Sequence, residues 1–465
     1  MSFLRETDVA IVGAGPAGLY AALAAKGASA SVVVIDEYAQ PGGQFYRQLA
    51  GEFTVHDRAR LPHDYTKGDA LLGRVRAAGI DVLNDALVWA SFEAGSLSVR
   101  HRGEMGTVRS RKTIVASGAY ERAAAFPGWD LPGVMTPGGA QTLVKSQRVL
   151  PGSRIVLAGS GPFLLPVATT LIEAGAKVAG IFEATTPREW APHATRLWGH
   201  WERVREGLRY RRTIAAAGVP IHYGHIVVRA EGEDFVERVV LAKCDAQGRA
   251  MPGTERVEKA DTLCASYGFV PAVQLTRALG CEHRYERAWG GWIPVHGEDM
   301  ETSVPGVFVA GEVAGIGGAH AAMAEGTLAG LNAARQLGRT VGGVELAQAR
   351  TDRARHRAFA RLVADVFAIK PGVYETITDE TLVCRCEEVT AGQVRAAATA
   401  WGANVNFIKG VTRCGMGYCQ GRVCGSLVEE IAARSLGVPA GTVESYHVRA
   451  PLKPVTVNDL AALAD

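Results

Sequence analysis

The sequence predicts an α/β protein with two parallel-sheet units and a cysteine-rich segment near its C-terminus. Two stretches show the same order of an apolar run, a glycine-rich turn, a helix-like stretch and a second apolar run. The apolar runs are Val9 to Val12 and Val32 to Ile35 in the first stretch, and Ile155 to Ala158 and Val178 to Phe182 in the second. This order opens a parallel α/β sheet. Five of the eight cysteines fall within residues 384–424.

The bulk composition is that of an ordinary globular protein with several domains. Of the 465 residues, 48% are hydrophobic and 21% are charged, and this length is typical of about two to four domains. The formal net charge is only +3, and acidic and basic residues are mixed along the chain. These features argue against nucleic acid as a partner.

The N-terminal residues lack the pattern of a secretory signal, because Asp8 leads directly into the first apolar run. We therefore expect a cytoplasmic protein. The longest apolar stretch, Val9 to Ala25, contains three glycines and a proline, so no transmembrane segment is expected. Peripheral contact with the inner face of the cell membrane stays open.

The first glycine-rich turn has the pattern of a dinucleotide-binding loop. In such a loop the first glycine permits a tight turn, the second lets a pyrophosphate approach the backbone, and the third lets the helix pack closely on the strand. The helix N-terminus then offers N–H donors and partial positive charge to the phosphates. The candidate binding residues are Gly13, Gly15, Pro16, Ala17 and Gly18.

An acidic residue is expected at the end of the second strand, where it accepts hydrogen bonds from ribose hydroxyls. Asp36 and Glu37 stand eighteen and nineteen residues beyond Gly18. Asp36 is the first choice and Glu37 the second. This local pattern fits FAD and NAD equally well.

The second glycine-rich turn keeps Gly159 and Gly161 but has Leu164 at the third position. Close packing of the helix on the strand is therefore expected to be compromised. Glu183 follows the second strand of this unit and is the candidate ribose acid. NAD, another adenine nucleotide such as ATP, and an empty pocket all stay open.

The clustered cysteines form two close pairs, Cys384 with Cys386 and Cys419 with Cys424. A disulfide framework is not expected in a large cytosolic chain. Four thiolates suit either a tetrahedral zinc ion or an iron–sulfur cluster. Cys414 is a fifth thiol in the same region.

Several segments together resemble a known family. They are Gly13 to Gly18, Pro41 to Arg47 (PGGQFYR), Ala116 to Arg122 (ASGAYER), Phe126 to Gln141 (FPGWDLPGVMTPGGAQ), Gly159 to Gly161 and the C-terminal cysteines. The chain resembles the larger FAD- and NAD-binding subunit of heteromeric amino-acid and imino-acid dehydrogenases, such as hydroxyproline dehydrogenase, opine oxidase and hydrogen cyanide synthase. The α subunit of heterotetrameric sarcosine oxidase is a more distant relative.

The resemblance implies a glutathione-reductase-like pair of dinucleotide-binding domains, with FAD in the first. It implies an FAD-binding domain at 1–120 and 300–369, a second nucleotide-binding domain at 121–299, and a third domain at 370–465. Glu312 stands where the family usually has aspartate, and residues 315–318 with 324–326 resemble the helix start that faces the flavin. The further FAD-contacting candidates are Gly42, Gly43, Gln44, Val88, Ala116, Gly118, Gly311, Glu312 and Gly318.

The cysteine segments Val383 to Thr390 (VCRCEEVT) and Gly415 to Gly425 (GMGYCQGRVCG) resemble the module of bacterioferritin-associated ferredoxin. This implies a small, mainly helical domain with a 2Fe-2S cluster. The implied ligands are Cys384, Cys386, Cys419 and Cys424. Cys414 is then a supernumerary thiol that either competes as a ligand or lies beside the cluster.

In this family a smaller flavoprotein subunit of the D-amino-acid-oxidase type removes hydride from the carbon next to nitrogen. The chain is then expected to relay electrons from a substrate such as D-hydroxyproline or an opine to a respiratory acceptor. A third small subunit, and FMN at an interface with a partner, are also compatible with the resemblance. No catalytic residue is identified, and His320 is only the nearest candidate base.

Two alternative functions stay open. One is a self-sufficient NAD(P)H-dependent flavin reductase that uses the second glycine loop for the pyridine nucleotide. The other is a non-catalytic assembly subunit that holds cofactors for structure only.

Overall fold

A computed structural model describes residues 3–56 and 63–461, without the side chains of residues 63 and 64. The chain packs as two compact units. The first unit comprises residues 1–119, 270–360 and 448–465, and the second comprises residues 120–269 and 361–447. No helix in the described part of the chain is both long enough and apolar enough to cross a membrane.

The N-terminal part of the first unit alternates strands with two helices. Its elements are β1 (Phe3–Val12), α1 (Pro16–Gly27), β2 (Val32–Ile35), α2 (His63–Ala77), β3 (Asp81–Leu83), β4 (Ala86–Glu93), β5 (Ser96–His101) and β6 (Glu104–Val115). β1 begins before the predicted apolar run because its first residues pair with β6, from Phe3 opposite Gly106 onward.

Residues 119–271 contain most of the strands of the second unit. The elements are β7 (Ala119–Glu121), β8 (Val134–Met135), α3 (Pro137–Thr142), β9 (Arg154–Gly159), α4 (Leu164–Glu173), β10 (Lys177–Glu183), α5 (Trp201–Ala216), β11 (Ile221–Tyr223), β12 (His225–Glu231), β13 (Arg238–Lys243), β14 (Arg256–Lys259), β15 (Thr262–Ser266) and β16 (Phe269–Pro271).

The remaining residues contain more helix than strand. The elements are α6 (Gln274–Ala278), β17 (His283–Glu286), β18 (Gly291–Pro294), β19 (Val307–Val309), α7 (Gly318–Gln336), α8 (Gly343–Val366), β20 (Leu382–Cys384), β21 (Val389–Thr390), α9 (Ala391–Trp401), α10 (Val405–Thr412), α11 (Gly425–Leu436) and α12 (Val457–Ala461).

The first unit is built on a seven-stranded sheet, in which six strands follow the order β3-β2-β1-β6-β5-β4 and the seventh, β19, pairs with β6. Its central pairings are parallel, as expected for an α/β unit. β6 is long enough to pair with two strands on one side, antiparallel with β5 through residues 104–109 and parallel with β19 through residues 113–115. This arrangement places the turns after β1, β6 and β19 at one edge of the sheet, where ligands of open α/β sheets bind.

Two helices of the first unit approach each other very closely. A Cβ at Gly326 of α7 would overlap the carbonyl oxygen of Ala17 in α1, and a Cβ at Gly330 would overlap that of Ala21. Only glycine at these two positions allows the backbones to come this near. The contact holds the helix that follows the first glycine loop against the helix that begins at Gly318.

The second unit repeats the α/β arrangement with a five-stranded parallel sheet, β11-β10-β9-β15-β8, and adds the antiparallel sheet β12-β13-β14. The cysteine-rich segment shares the core of this unit. Val156 and Phe182 of the parallel sheet belong to the same buried cluster as Cys384, Val428 and Ile431.

The two compact units divide the chain by packing. Residues 270–299 pack in the first unit, and residues 361–447 pack in the second. The C-terminal segment from residue 448 returns to the first unit, where Leu452 donates a backbone hydrogen bond to the carbonyl of Trp89 at 2.6 Å. The division into three domains stays a prediction, because packing does not report on folding in isolation.

Candidate functional site

The first glycine loop has the tight geometry that its sequence predicts. Gly13 has a φ of +106°, and a Cβ there would overlap the carbonyl oxygen of Ala116. A Cβ at Gly18 would overlap the carbonyl oxygen of Gly13. At Gly15, in contrast, the nearest described atom would be 3.9 Å away, on Gly43. The first and third glycines are thus required for packing, and the second leaves room for a ligand.

Asp36 holds this loop through both of its carboxylate oxygens. Oδ2 accepts a hydrogen bond from the backbone N–H of Ala14 at 2.5 Å, and Oδ1 accepts one from that of Tyr38 at 2.8 Å. The side chain is buried, and burial raises its pKa although the two hydrogen bonds oppose this effect. Asp36 therefore holds the loop, and each carboxylate oxygen keeps a lone pair that can accept a further hydrogen bond.

Glu37 is the exposed acid at the end of β2. Its carboxylate forms an ion pair with Lys453 of the C-terminal segment. The two residues are 416 positions apart, so no local sequence signal could have indicated the pair. Glu37 is better placed than Asp36 to meet a polar ligand, because its side chain faces solvent.

The segment after the acid lies directly against the glycine loop. The backbone N–H of Gly42 donates to the carbonyl of Ala14 at 2.8 Å. Gly43 has a φ of +61°, and a Cβ there would lie 2.7 Å from the Cα of Gly15. Gln44 follows with an exposed side chain. The structure therefore brings Gly42, Gly43 and the loop together.

Three further residues that were predicted to contact FAD lie within or just after strands of the same sheet. Val88 is half-buried on β4, opposite Val99 of β5. Ala116 follows β6 and donates its backbone N–H to the carbonyl of Val12 at 2.8 Å. Gly118 has a φ of +77°, and no described atom lies within 4 Å of the position of a Cβ.

The turn after β19 joins Glu312 to the start of α7. Oε1 of Glu312 accepts a hydrogen bond from the backbone N–H of Gly318 at 2.6 Å, and burial raises the pKa of the Glu312 carboxyl. Gly318 has a φ of +79°, and no described atom lies within 4 Å of the position of a Cβ. The helix start therefore lies at Gly318 beside open space, and residues 324–326 lie within the helix instead of at its start.

A buried ion pair that the sequence analysis missed supports this turn. Glu325 is fully buried, accepts a hydrogen bond from the N–H of Gly311 at 3.0 Å, and pairs with Arg357. Nη2 of Arg357 lies 2.8 Å from Oε2 of Glu325, and Nη1 donates to the carbonyl of Gly315 at 2.9 Å. His320 packs against His356 with ring centroids 5.5 Å apart.

The second glycine loop repeats the first in its backbone. A Cβ at Gly159 would overlap the carbonyl oxygen of Ser266, and Gly161 has a φ of +128° with no described atom within 4 Å of a Cβ position. Glu183 accepts hydrogen bonds from the N–H groups of Gly161 at 3.1 Å and Thr185 at 2.9 Å. Burial raises the pKa of Glu183 to about 7. Glu183 thus holds its loop just as Asp36 does.

The replacement of the third glycine changes where the helix begins. α4 starts at Leu164, five residues after Gly159, whereas α1 starts at Pro16, three residues after Gly13. Leu164 is buried in the core between α4 and the sheet. The close approach expected of glycine is replaced by apolar packing, as the sequence predicts.

The cysteine cluster contains one more thiol than the four predicted ligands. The sulfur atoms of Cys384, Cys414 and Cys424 lie within 4.8 Å of one another, and all three residues are buried. Cys419 contacts Cys424 and the exposed Cys386, and its contact with Cys424 lowers its pKa to about 5. The contact with Cys384 raises the pKa of Cys414 to about 12. All five thiols are therefore in one site.

Residues 120 and 129 anchor the cysteine loops within the second unit. The guanidinium of Arg385, between the first two cysteines, stacks on the ring of Trp129 at 3.9 Å and donates to the Trp129 carbonyl. Arg422, between the last two, donates to the hydroxyl of Tyr120 at 2.9 Å. The tryptophan lies in the segment Phe126 to Gln141, which the sequence indicated only as part of the family resemblance.

Comparisons with known proteins agree with this geometry. Residues 7–326 match the pyridine nucleotide-disulphide oxidoreductase family model, and residues 378–464 match the sarcosine oxidase A3 domain. An opine oxidase subunit of Rhizobium meliloti is 33% identical, over 98% of this chain and 99% of its own length. The HcnB subunit of hydrogen cyanide synthase of Pseudomonas aeruginosa is 34% identical, over 92% of this chain and 93% of its own length.

Among solved structures, L-proline dehydrogenase from P. horikoshii aligns with a TM-score of 0.72 at 20% identity. The alignment covers 99% of this chain and 81% of that chain. This likeness confirms the predicted α/β fold.

Proposed function

Because the chain belongs to the pyridine nucleotide-disulphide oxidoreductase family, and its relatives include an opine oxidase subunit, we propose that it carries FAD and a 2Fe-2S cluster in a heteromeric dehydrogenase. The proposed substrate is an amino or imino acid with a secondary amine, such as D-hydroxyproline or an opine. The observation that carries the proposal is that one chain combines an open glycine cradle with a buried cluster of thiols.

The first unit fits FAD because glycines face open space where a ligand would approach. Gly15, Gly118 and Gly318 come from the turns after β1, β6 and β19, and each leaves room beside its Cα. The N-terminus of α1 would hold the pyrophosphate. We propose Glu37 as the ribose acid, because its carboxylate is exposed, and Asp36 as the second candidate, since its carboxylate can accept more than its two backbone hydrogen bonds.

The site in the second unit fits an iron–sulfur cluster through the chemistry of its donors. Thiolates are the ligands of such clusters, and the buried group of possible ligands consists of thiols alone. Cys384, Cys386, Cys419 and Cys424 would hold the cluster, with Cys414 beside it. When bound, FAD would supply two-electron hydride chemistry and the cluster one-electron transfer.

The second glycine loop is proposed as an adenine-nucleotide site, for NAD or ATP. Gly161 leaves open space next to its Cα, but Glu183 is engaged by the loop itself. The relatives are named as subunits, and we propose that a smaller D-amino-acid-oxidase-like flavoprotein is the partner that oxidises the substrate.

Cofactor analysis of the purified complex tests the proposal. We expect two irons for each copy of this chain, because the proposed cluster is 2Fe-2S, and FAD bound to this chain in addition to the flavin of the partner. Cys419→Ala should lose most of the iron and keep the FAD. Cys414→Ala is the matched control and should keep both.

Zinc in place of iron, or a colourless protein, would overturn the proposed electron relay. Loss of iron from Cys414→Ala with retention in Cys419→Ala would instead make Cys414 a ligand. Rapid bleaching of the flavin by NADH in the isolated chain would favour a self-sufficient reductase.

A further inference from the structure

The cysteine cluster has a tyrosine packed into it from a different part of the chain. The ring of Tyr446 lies against the two loops that carry Cys414, Cys419 and Cys424. A Cβ at Gly415 would lie 2.8 Å from the Tyr446 ring and 3.0 Å from its hydroxyl oxygen, and a Cβ at Gly421 would lie 2.7 Å from the ring. Both glycines have positive φ, so the loops are shaped to admit the ring.

The hydroxyl of Tyr446 is buried, and no oxygen or nitrogen atom in the described part of the chain pairs with it. A buried hydroxyl without a partner is unfavourable, because it has lost its hydrogen bonds to water. The ring packs against the buried cluster that contains Cys384, Cys414 and Cys424, and the hydroxyl interacts with the thiol of Cys414. The hydroxyl therefore faces sulfur.

Two further contacts hold the ring in place. Asn406 of α10 fixes the backbone on both sides of Tyr446: its Oδ1 accepts from the N–H of His447 at 2.9 Å, and its Nδ2 donates to the carbonyl of Ser445 at 3.4 Å. The ammonium of Lys409 lies 5.5 Å from the centre of the ring. Because these contacts fix the ring, the hydroxyl of Tyr446 can donate only to an acceptor at one position.

We propose that Tyr446 is a positioning residue that donates a hydrogen bond to a sulfur of the metal cluster and thereby raises its reduction potential. Reduction adds negative charge to the sulfurs, so a hydrogen-bond donor stabilises the reduced state more than the oxidised state. The inference rests on the proposed function, since it requires the cluster.

The test is an anaerobic redox titration with dithionite, monitored by electron paramagnetic resonance, on the purified complex. Tyr446→Phe removes only the hydroxyl. We expect it to keep its iron and to shift the ratio of reduced to oxidised cluster about tenfold toward oxidised, which is about 59 mV lower for one electron. Tyr418→Phe is the matched control, because Tyr418 lies on the same loop with 82% of its surface exposed, and it should titrate like the wild type.

A second variant keeps the inference testable if Tyr446→Phe loses its cluster. Asn406→Ala keeps the hydroxyl but frees the backbone that orients it, so the potential should move in the same direction. If Tyr446→Phe has the wild-type potential, the inference is wrong and the proposed function is unaffected. The same conclusion follows if Tyr446→Phe loses its iron and Asn406→Ala has an unchanged potential. Wild-type complex without iron overturns the proposed function, and the inference with it.

Discussion

At the residue scale, the two acids at the ends of β2 and β10 have the same structural role in their glycine loops. Asp36 and Glu183 stand where ribose-binding acids belong, yet each accepts one hydrogen bond from its glycine loop and one from the residue two positions on. Each therefore stabilises the loop conformation. The shared arrangement also shows that the second loop keeps its shape although its third glycine is lost.

Glu183 makes the stability of the second unit depend on pH. Burial raises its pKa from 4.5 to about 7, so between these values the folded state binds more protons than the unfolded state. Stability therefore falls as pH rises through this range, by up to about 3 kcal/mol. We expect Glu183→Gln to flatten the decrease in the unfolding midpoint between pH 5 and pH 8, measured by urea titration.

The flattening should be partial, because burial also raises the pKa of Glu121 to about 7 with the same sign. The exposed Glu255 provides the control, and Glu255→Gln should keep the wild-type slope. A wild-type slope in Glu183→Gln would contradict the assignment.

At the element scale, the close contact of α1 with α7 fixes the geometry of the first unit. Gly326 and Gly330 let the helices approach until the carbonyls of Ala17 and Ala21 fill the space that side chains would need. The sequence analysis predicted both helices but regarded residues 324–326 as a helix start. Glycines within a helix can be assigned to close packing only when the helix that faces them is known.

Gly326→Ala should destabilise the first unit and weaken retention of FAD. Overpacking of this kind is unfavourable by about 1 to 3 kcal/mol, and it would push α1 away from the helix that carries Gly318. Thermal unfolding and flavin release on dilution measure the two effects. Gly73→Ala in α2 is the control, because no described atom lies within 4 Å of the new Cβ and alanine is favoured in helices by about 0.5 to 1 kcal/mol. Equal behaviour of the two variants would refute the packing argument.

At the scale of the whole molecule, the chain returns to its first unit after the cysteine segment. Residues 448–465 are assigned to that unit, and Lys453 pairs there with Glu37. The comparisons confirm a family whose relatives are named as subunits, and under the proposed function this chain relays electrons for a partner that oxidises the substrate.

This division of labour predicts how the flavin is reduced. In anaerobic stopped-flow experiments, the substrate should bleach the FAD of the complex faster than NADH bleaches that of the isolated chain, by more than about tenfold, or about 1.4 kcal/mol in activation free energy. The isolated chain mixed with substrate is the control and should stay oxidised. Faster reduction by NADH without the partner would reverse the proposal.

The sequence by itself determined the α/β class, the two glycine loops and the family. These features depend on local backbone requirements, such as the positive φ of Gly13, or on residues close together in the chain. They can therefore be recognised in short segments of the sequence without knowledge of the fold.

The tertiary structure alone decided which partners those residues meet. Cys414 lies among the other thiols, and Asp36 accepts a hydrogen bond from the first glycine loop. Glu325 pairs with Arg357, and Tyr446 lies beside the cysteine thiols. Each of these contacts joins residues that are remote in sequence or depends on the direction of a buried side chain. Such contacts are set by how the elements pack, because burial removes water as the competing partner and leaves each polar group to the neighbours that packing supplies.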